Sequence, residues 1–406
     1  TGLIIVTNLN TGQTANLADA FEIDNTNGYA KATFWLQGVT VMDYAYGANG
    51  TINIGALSGD PGTVIGSGNE TSANPNYTVG WLNTTTNVFA GTIMDPTTNT
   101  GPLAGYATSI TKVGAGTWYL GGTNTYTGKT IISNGTLALT NVLGIANGGG
   151  DASIADSTNI FINTNAVLDL SGLGTPTLAL VTGETLGGGG TVKGAVDTTG
   201  GGTISLGIGA TNTLSVTNSV AVGGPPILVS LDHTYAAGAT SGTLKANSLT
   251  VNSGSTLVVS QGTNDLVTGD TFTVFKIATG NPIFTSGNLA VTLPTTGPVS
   301  GVTYVWNTAN LTVNGTIKLV TGGSPPAPPV NTEPPRMLFS GSPTTGITIG
   351  WPTNLGWRLV YQSNSVGAGL STNINNWVTW PNSTTVTQVV IPIGTTNEVF
   401  FQLIYP

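Results

Sequence analysis

Along most of this chain, apolar residues alternate with small polar ones over short stretches, which is the period of a half-buried strand and not of a helix. The runs that read as strands are TINIG (51–55), TWYLG (117–121), TIIS (130–133), TLALT (136–140), NIFIN (159–163), VLDL (167–170), TLKANSLTV (243–251), TLVVS (256–260), TFTVFKI (271–277) and TIKLV (316–320). Gly, Asn and Asp turns separate them. NLADAFEID (16–24) is the one stretch that reads as a helical turn, and alternation resumes beyond it.

One unit recurs at irregular intervals: a Gly- or Asn-containing turn, then Thr or Val, then apolar, variable, apolar. It stands at Asn49–Ile54, Asn134–Leu139, Asn165–Leu170, Gly254–Val259 and Asn314–Leu319. In a strand, Leu137 and Leu139 share a face, as do Leu168 and Leu170, and Leu257 and Val259. A coil of such strands cannot bury that face alone, so successive coils must stack into a solenoid. The expected fold is all-β, with a right-handed β-helix over 1–321. A β-sandwich with many hairpins would give the same alternation and suits the irregular spacing.

Composition narrows the functions. Of the 406 residues only 6% are charged, against about 25% in an average soluble protein, so Thr, Asn, Ser and Gly must make the surface. The 39% hydrophobic content and eight Trp argue against a disordered polar chain. Nine Lys and Arg spread along a chain of net charge −8 cannot form the positive stripe that neutralises phosphates, so nucleic acid is not an expected partner. The absence of Cys removes disulfides, thiolate metal sites and a Cys nucleophile. No run of about 18 apolar residues is present to span a membrane as a helix. The first residue is Thr1 and no signal-peptide core follows it, so the chain reads as processed or partial, the expected state of an exported protein.

Lys112–Leu139 (KVGAGTWYLGGTNTYTGKTIISNGTLAL) resembles the autotransporter-associated β-strand repeat, also called the passenger-associated transport repeat. The likeness lies in Lys112, Gly114, Gly116-Thr117, the strand through Leu120, Thr123–Gly128 and Asn134–Leu137. Phe89–Ile93 resembles the strand that leads into such repeats. Residues 184–320, with Gly187–Val192 and Thr263–Asp265, resemble the stretch downstream of them. The resemblance implies a β-helical passenger stalk of a secreted bacterial protein, extracellular or on the cell surface. Residues after 321 are too few for a translocating barrel of about twelve strands, so none is expected within this chain.

Residues 322–335, beginning GGSPPAPP, read as a stiff linker. Residues 336–406 then give six expected strands and suggest an immunoglobulin- or fibronectin III-like β-sandwich. This part is similar to small C-terminal modules of secreted bacterial repeat proteins. Trp351, Trp357, Trp377 and Trp380 would form a sugar-binding platform if exposed, but in so small a module large aromatics mostly build the core.

Catalytic chemistry is sparse. His233 is the sole histidine and has no nucleophile elbow near it. Asp151 with Asp156, and Asp265 with Asp270, are candidate carboxylate pairs. The acids are nevertheless scattered, and both Arg lie in the C-terminal region. No enzyme, cofactor or metal is expected. Asp24 and Asn27 read as an Asx turn, and the glycine runs 187–190 and 200–202 as tight corners. What remains is mechanical. Leu3, Ile4, Ile5 and Val6 suit a strand donated to a neighbour, with Phe400, Phe401, Leu403 and Ile404 in the reciprocal part. The expected function is a structural subunit of an extracellular fibre that self-associates head to tail. The alternative is a monomeric surface adhesin or carbohydrate-binding protein with glycans or cell-surface components as partners.

Overall fold

The computed structural model describes residues 2–7, 21–23, 29–38, 41–44, 50–67, 74–95, 106–141, 152–207, 212–234, 237–278, 280, 283–284, 289–324, 336–342, 346–351, 357–365, 367–383, 386–392 and 397–404. They form two compact units, Thr1–Pro326 and Ala327–Pro406.

The first unit is a β-helix with three parallel faces. Face 1 runs from 51–54 through Asn76–Val79, Ser109–Lys112, Lys129–Ile132, Asn159–Ile162, Thr185–Gly188, Thr203–Leu206, Ile227–Thr234 and Thr256–Gln261 to Ala290–Thr292. Face 2 begins at Gly2–Thr7 and passes through 33–37, 56–59, Asn87–Phe89, Thr117–Leu120, Thr136–Thr140, Val167–Gly172, Thr191–Lys193, 213–216 and 243–246 to Phe275–Ile277. Face 3 is built from Phe21–Ile23, Val41–Tyr44, Val64–Ser67 and Thr92–Ile93. It resumes with Thr177–Val181, Ala195–Gly200, 219–222, 248–251 and Ile283–Phe284. Parallel strands need crossovers and cannot be joined by two-residue hairpins, so this pairing excludes the sandwich alternative for the first unit.

Alternation places one side chain in two inside, and the register stacks those side chains coil on coil. On face 1 the inward column reads Ile52, Tyr77, Ile110, Thr130, Ile160, Leu186, Ile204, Ile227, Leu257 and Val291. On face 2 it includes Trp118, Leu137, Leu168, Val192, Val216 and Ala246, all buried. The irregular repeat length is absorbed at the corners: the step is 18 residues from Thr185 to Thr203 but 34 from Leu257 to Val291. Part of one long coil is an antiparallel excursion, in which 231–234 of face 1 pairs with Gly238–Ser241.

Several expectations need correcting. Phe21–Ile23, within the candidate helical turn, is a strand, while residues 16–20 and 24 lie outside the described residues. TFTVFKI is two strands, broken at the buried Val274: Thr271–Thr273 is antiparallel to Thr316–Thr321, and Phe275–Ile277 ends face 2. Asn314–Leu319 is therefore no coil. Thr316–Thr321 forms a three-stranded antiparallel sheet with Thr271–Thr273 and Val305–Asn307, and Phe272, Ile317 and Leu319 join the solenoid core. That sheet caps the C-terminal end of the solenoid. Gly322 and Gly323 also belong to the first unit and not to the linker: Gly323 N–H donates to Leu266 O at 2.7 Å, and Gly322 N–H to Thr268 Oγ1 at 2.9 Å.

In the second unit, two three-stranded antiparallel sheets face each other. One holds Leu338–Ser342, Gly346–Gly350 and Gln388–Ile391; the other holds Val378–Thr379, Arg358–Ser365 and Asn397–Ile404. Ile349, Val389 and Ile391 from the first meet Leu359 and Leu403 from the second in one core, a small sandwich. Trp351 and Trp357 are buried in it, and Trp380 packs edge-on to Tyr361 at 5.2 Å. Trp377 is half-buried, donating from Nε1 to Ser371 O. The four indoles form no exposed platform.

Corner glycines separate conformational from steric demand. Gly135 (φ 69°) and Gly254 (φ 83°) both occupy the left-handed region, but a Cβ on Gly135 would lie 2.4 Å from the carbonyl oxygens of Gly114 and Gly116, whereas one on Gly254 meets nothing within 4 Å. Gly254→Ala should cost about 1–2 kcal/mol, the strain of the left-handed conformation alone. Gly135→Ala should cost clearly more, because backbone of the adjacent coil must move. Urea unfolding of the two variants measures the difference.

Candidate functional site

The segment 110–139 holds two coils together where face 3 has no strand among the described residues. In its place Thr123 bridges Ser153, and the buried Asn124 supplies side-chain hydrogen bonds. Asn124 Oδ1 accepts from Ile93 N–H at 2.9 Å, and its Nδ2 donates to Gly122 O at 3.0 Å and Ser153 O at 2.8 Å. One side chain thus ties three successive coils. Tyr126, also buried, shares a 2.6 Å hydrogen bond with Thr130 Oγ1, which donates to Ser157 Oγ, which in turn donates to Gly128 O. This chain explains how a Thr sits in an otherwise apolar column. Burial pushes the Tyr126 phenol well above its usual range. Outside, Asp95 accepts from the backbone N–H of Thr108 and from both N–H and hydroxyl of Thr127.

Lys112 closes the opposite corner. Its buried ammonium donates to the carbonyls of Val113 (2.7 Å), Gly114 (2.8 Å) and Asn134 (3.2 Å), joining one coil's turn to the next. Burial lowers its pKa to about 8 from 10.5.

Beside these stitches lies the outward side of face 2. Two depressions of about 590 and 400 Å³ meet there at Thr86 and Val88. The outward column runs Ile5, Trp35, Ser58, then Val88, Tyr119, Ala138, Asp169 and Lys193. Trp35 is 39% exposed, and its Nε1 donates to Asp60 Oδ1 at 3.2 Å. At the other end Lys193 Nζ lies 3.2 Å from Asp169 Oδ2. Partial burial works against ionised Asp169, but the Ser171 hydroxyl and N–H and the Lys193 ammonium outweigh it and hold the carboxyl below its usual range.

Residues 110–139 match the passenger-associated-transport-repeat family. The chain carries a passenger-associated-transport-repeat. A stretch of 120 residues is also 36% identical to the adhesin BmaC autotransporter of Brucella suis biovar 1 (strain 1330), a match that spans 29% of this chain and 3% of that adhesin. Within the matched segment, Lys112 and Asn124 hydrogen-bond to neighbouring coils, Gly114 and Gly135 closely approach them, and Tyr126 bonds Thr130, which reaches Ser157 of the next coil.

The remaining candidates are dispersed over both units. Ile4 and Val6 pack against the core, while Leu3 and Ile5 point outward, 59% and 51% exposed. Their strand pairs with 32–37 along one edge, and its other edge has no partner strand among the described residues. Phe400, Phe401, Leu403 and Ile404 lie on Asn397–Ile404, which pairs along its length with Arg358–Ser365; Leu403 is buried and Phe401 packs beside it. His233 Nδ1 is 2.9 Å from both oxygens of Asp270, which also accepts from Val267 N–H. No hydroxyl hydrogen-bonds the His233 ring among the described residues. Asp265 instead accepts from Val299 and Ser300 N–H, and burial together with the charges of Asp265 and Asp270 raises the pKa of Tyr304. Asp24, Asn27 and Asp151 lie outside the described residues. Trp35 and Tyr119 were missed in the sequence. The available signal was three large apolar residues in a row, Phe34-Trp35-Leu36 and Trp118-Tyr119-Leu120, where alternation forces the middle one outward.

Asn124→Leu should lose about 1–3 kcal/mol of stability, as read by chemical denaturation, since it strands the buried Ile93 N–H, while Gly122 O and Ser153 O keep their backbone donors. For Lys112 the folded-state pKa of about 8 lies below the unfolded 10.5, so unfolding takes up a proton between these values and stability rises with pH through that window. Lys112→Met removes this slope, and the stability difference in favour of the parent chain should grow from pH 8 to pH 10.

Proposed function

We propose that the chain is part of an extracellular bacterial surface protein of adhesin type, in which the β-helix is a stalk that makes contacts along its length and has no catalytic role. The observation that carries this reading is the repeat at 110–139, set inside the parallel ladders and stitched to its neighbours by Lys112, Asn124 and Thr130. The similarity to an autotransporter adhesin supports it. So does the scarcity of charge: backbone ladders and Thr or Asn hydrogen bonds, which salt screens little, hold the coils together.

A second reading, a fibre subunit joined head to tail, is favoured by the edge of Gly2–Thr7, which has no partner strand among the described residues, and by the exposed Leu3 and Ile5. An edge of this kind is a template for another strand. The capped C-terminal end of the solenoid would leave the acceptor to the outer edge of Asn397–Ile404.

Electron microscopy and light scattering of the purified chain at rising concentration, beside counts of cells retained on surfaces coated with it, separate the two. Cell retention by monodisperse particles is the expected outcome. Regular filaments that disappear on deleting residues 1–8 would replace the adhesin reading with the fibre, and neither retention nor filaments would end both.

A further inference from the structure

We propose that the outward side of face 2 binds an uncharged polysaccharide chain laid along the solenoid axis, with Trp35 and Tyr119 as stacking platforms. The inference rests on the adhesin-type reading and names its ligand class.

Geometry comes first. Trp35 and Tyr119 stand in one outward column, separated by the smaller Ser58 and Val88. Three ladder steps at the usual strand spacing put the two rings about 14 Å apart. The low floor between two aromatic walls is where the two depressions meet. Both rings spring from paired strands, and the Trp35 indole is further tied to Asp60, so little side-chain entropy is lost when a flat apolar ligand face settles on them. An aromatic side chain offers both an apolar face and a polar tip, which matches a sugar ring. The Tyr119 hydroxyl has no hydrogen-bond partner among the described residues.

Hydroxyl groups line the flank. Thr117 and Thr136 are neighbours in register, with Thr86 in the preceding coil, and they offer donors and acceptors at the repeat of the ladder itself. Charge then excludes other polymers. The charged groups lining the two depressions are Asp60, Asp169 and Lys193; Asp169 and Lys193 neutralise each other, and Asp60 accepts from Trp35. No unpaired cation lines the depressions for a sulfated or uronic acid chain, or for nucleic acid; the exposed Lys245 and Lys276, neighbours in register on face 2, stand beyond them.

Native gels cast with galactomannan, laminarin or dextran, and separately with heparin, test this on the full chain. At least one neutral polymer should retard the parent chain, and heparin should not. Trp35→Ala and Tyr119→Ala should each weaken retardation at least tenfold. Phe161→Ala, which removes an exposed aromatic on face 1, should leave it unchanged. Trp35→Phe, which keeps an aromatic face, should retain most binding and guards against misfolding as the cause. Retardation by no neutral polymer, retardation by heparin alone, or full retention in both alanine variants would overturn the proposal. If the parent chain and the alanine variants hold cells equally well, the groove fails while the adhesin reading stands. If the parent chain holds no cells, that reading fails whatever the gels show.

Discussion

The backbone ladder between coils is the constraint on which everything else here depends. A parallel strand buried on its inner side must find partners for every N–H and C=O on the coils before and after it. The molecule meets that demand on faces 1 and 2 with strands from nearly every coil, and side-chain choice is left to fill the inside and decorate the outside. Where face 3 has no strand at two coils among the described residues, the same demand is met by other means. The carboxamide of Asn124 and the Thr123–Ser153 bridge substitute for a strand.

That substitution gives the repeat a physical meaning. A strand identifies itself by alternation and tolerates many sequences, but a side chain that must bond to three coils at once can be only one residue type with one reach. Asn124 is therefore distinctive, and Lys112, which joins two coils through three carbonyls, nearly so, while the ladders on either side are written in interchangeable Val, Ile, Leu and Thr. The recognisable motif marks the place where regular pairing stops.

This difference also explains what could be read from the sequence. The coils over 117–140 and 159–170 were legible, because alternation with turns at both ends is a local property. The continuity of 243–251 was legible too, although it rounds a corner between two faces. The cap was not. Thr271–Thr273 and Thr316–Thr321 alternate just as coil strands do, and only their antiparallel partners, distant in sequence, tell them apart. The break at Val274 leaves no trace either, since a buried Val suits both a strand and a corner. For the candidate site, exposure was the hidden variable. Trp35 and the indoles of the second unit are the same residue type, and their opposite fates arise from a phase of one residue in the strand or from a sheet packed above.

The corners have a consequence for how such a stalk can change. Registers on faces 1 and 2 persist while coils lengthen from 18 to 34 residues, so the corners act as joints at which chain can be added without disturbing the later coils. The antiparallel arm at 231–241 is one such addition. A single residue inserted inside a strand does the opposite, because it would turn every later side chain of that strand to the other surface. Variation in length is thus free at the edges and forbidden on the flats, and a stalk of this design can grow new arms while its working surface stays aligned.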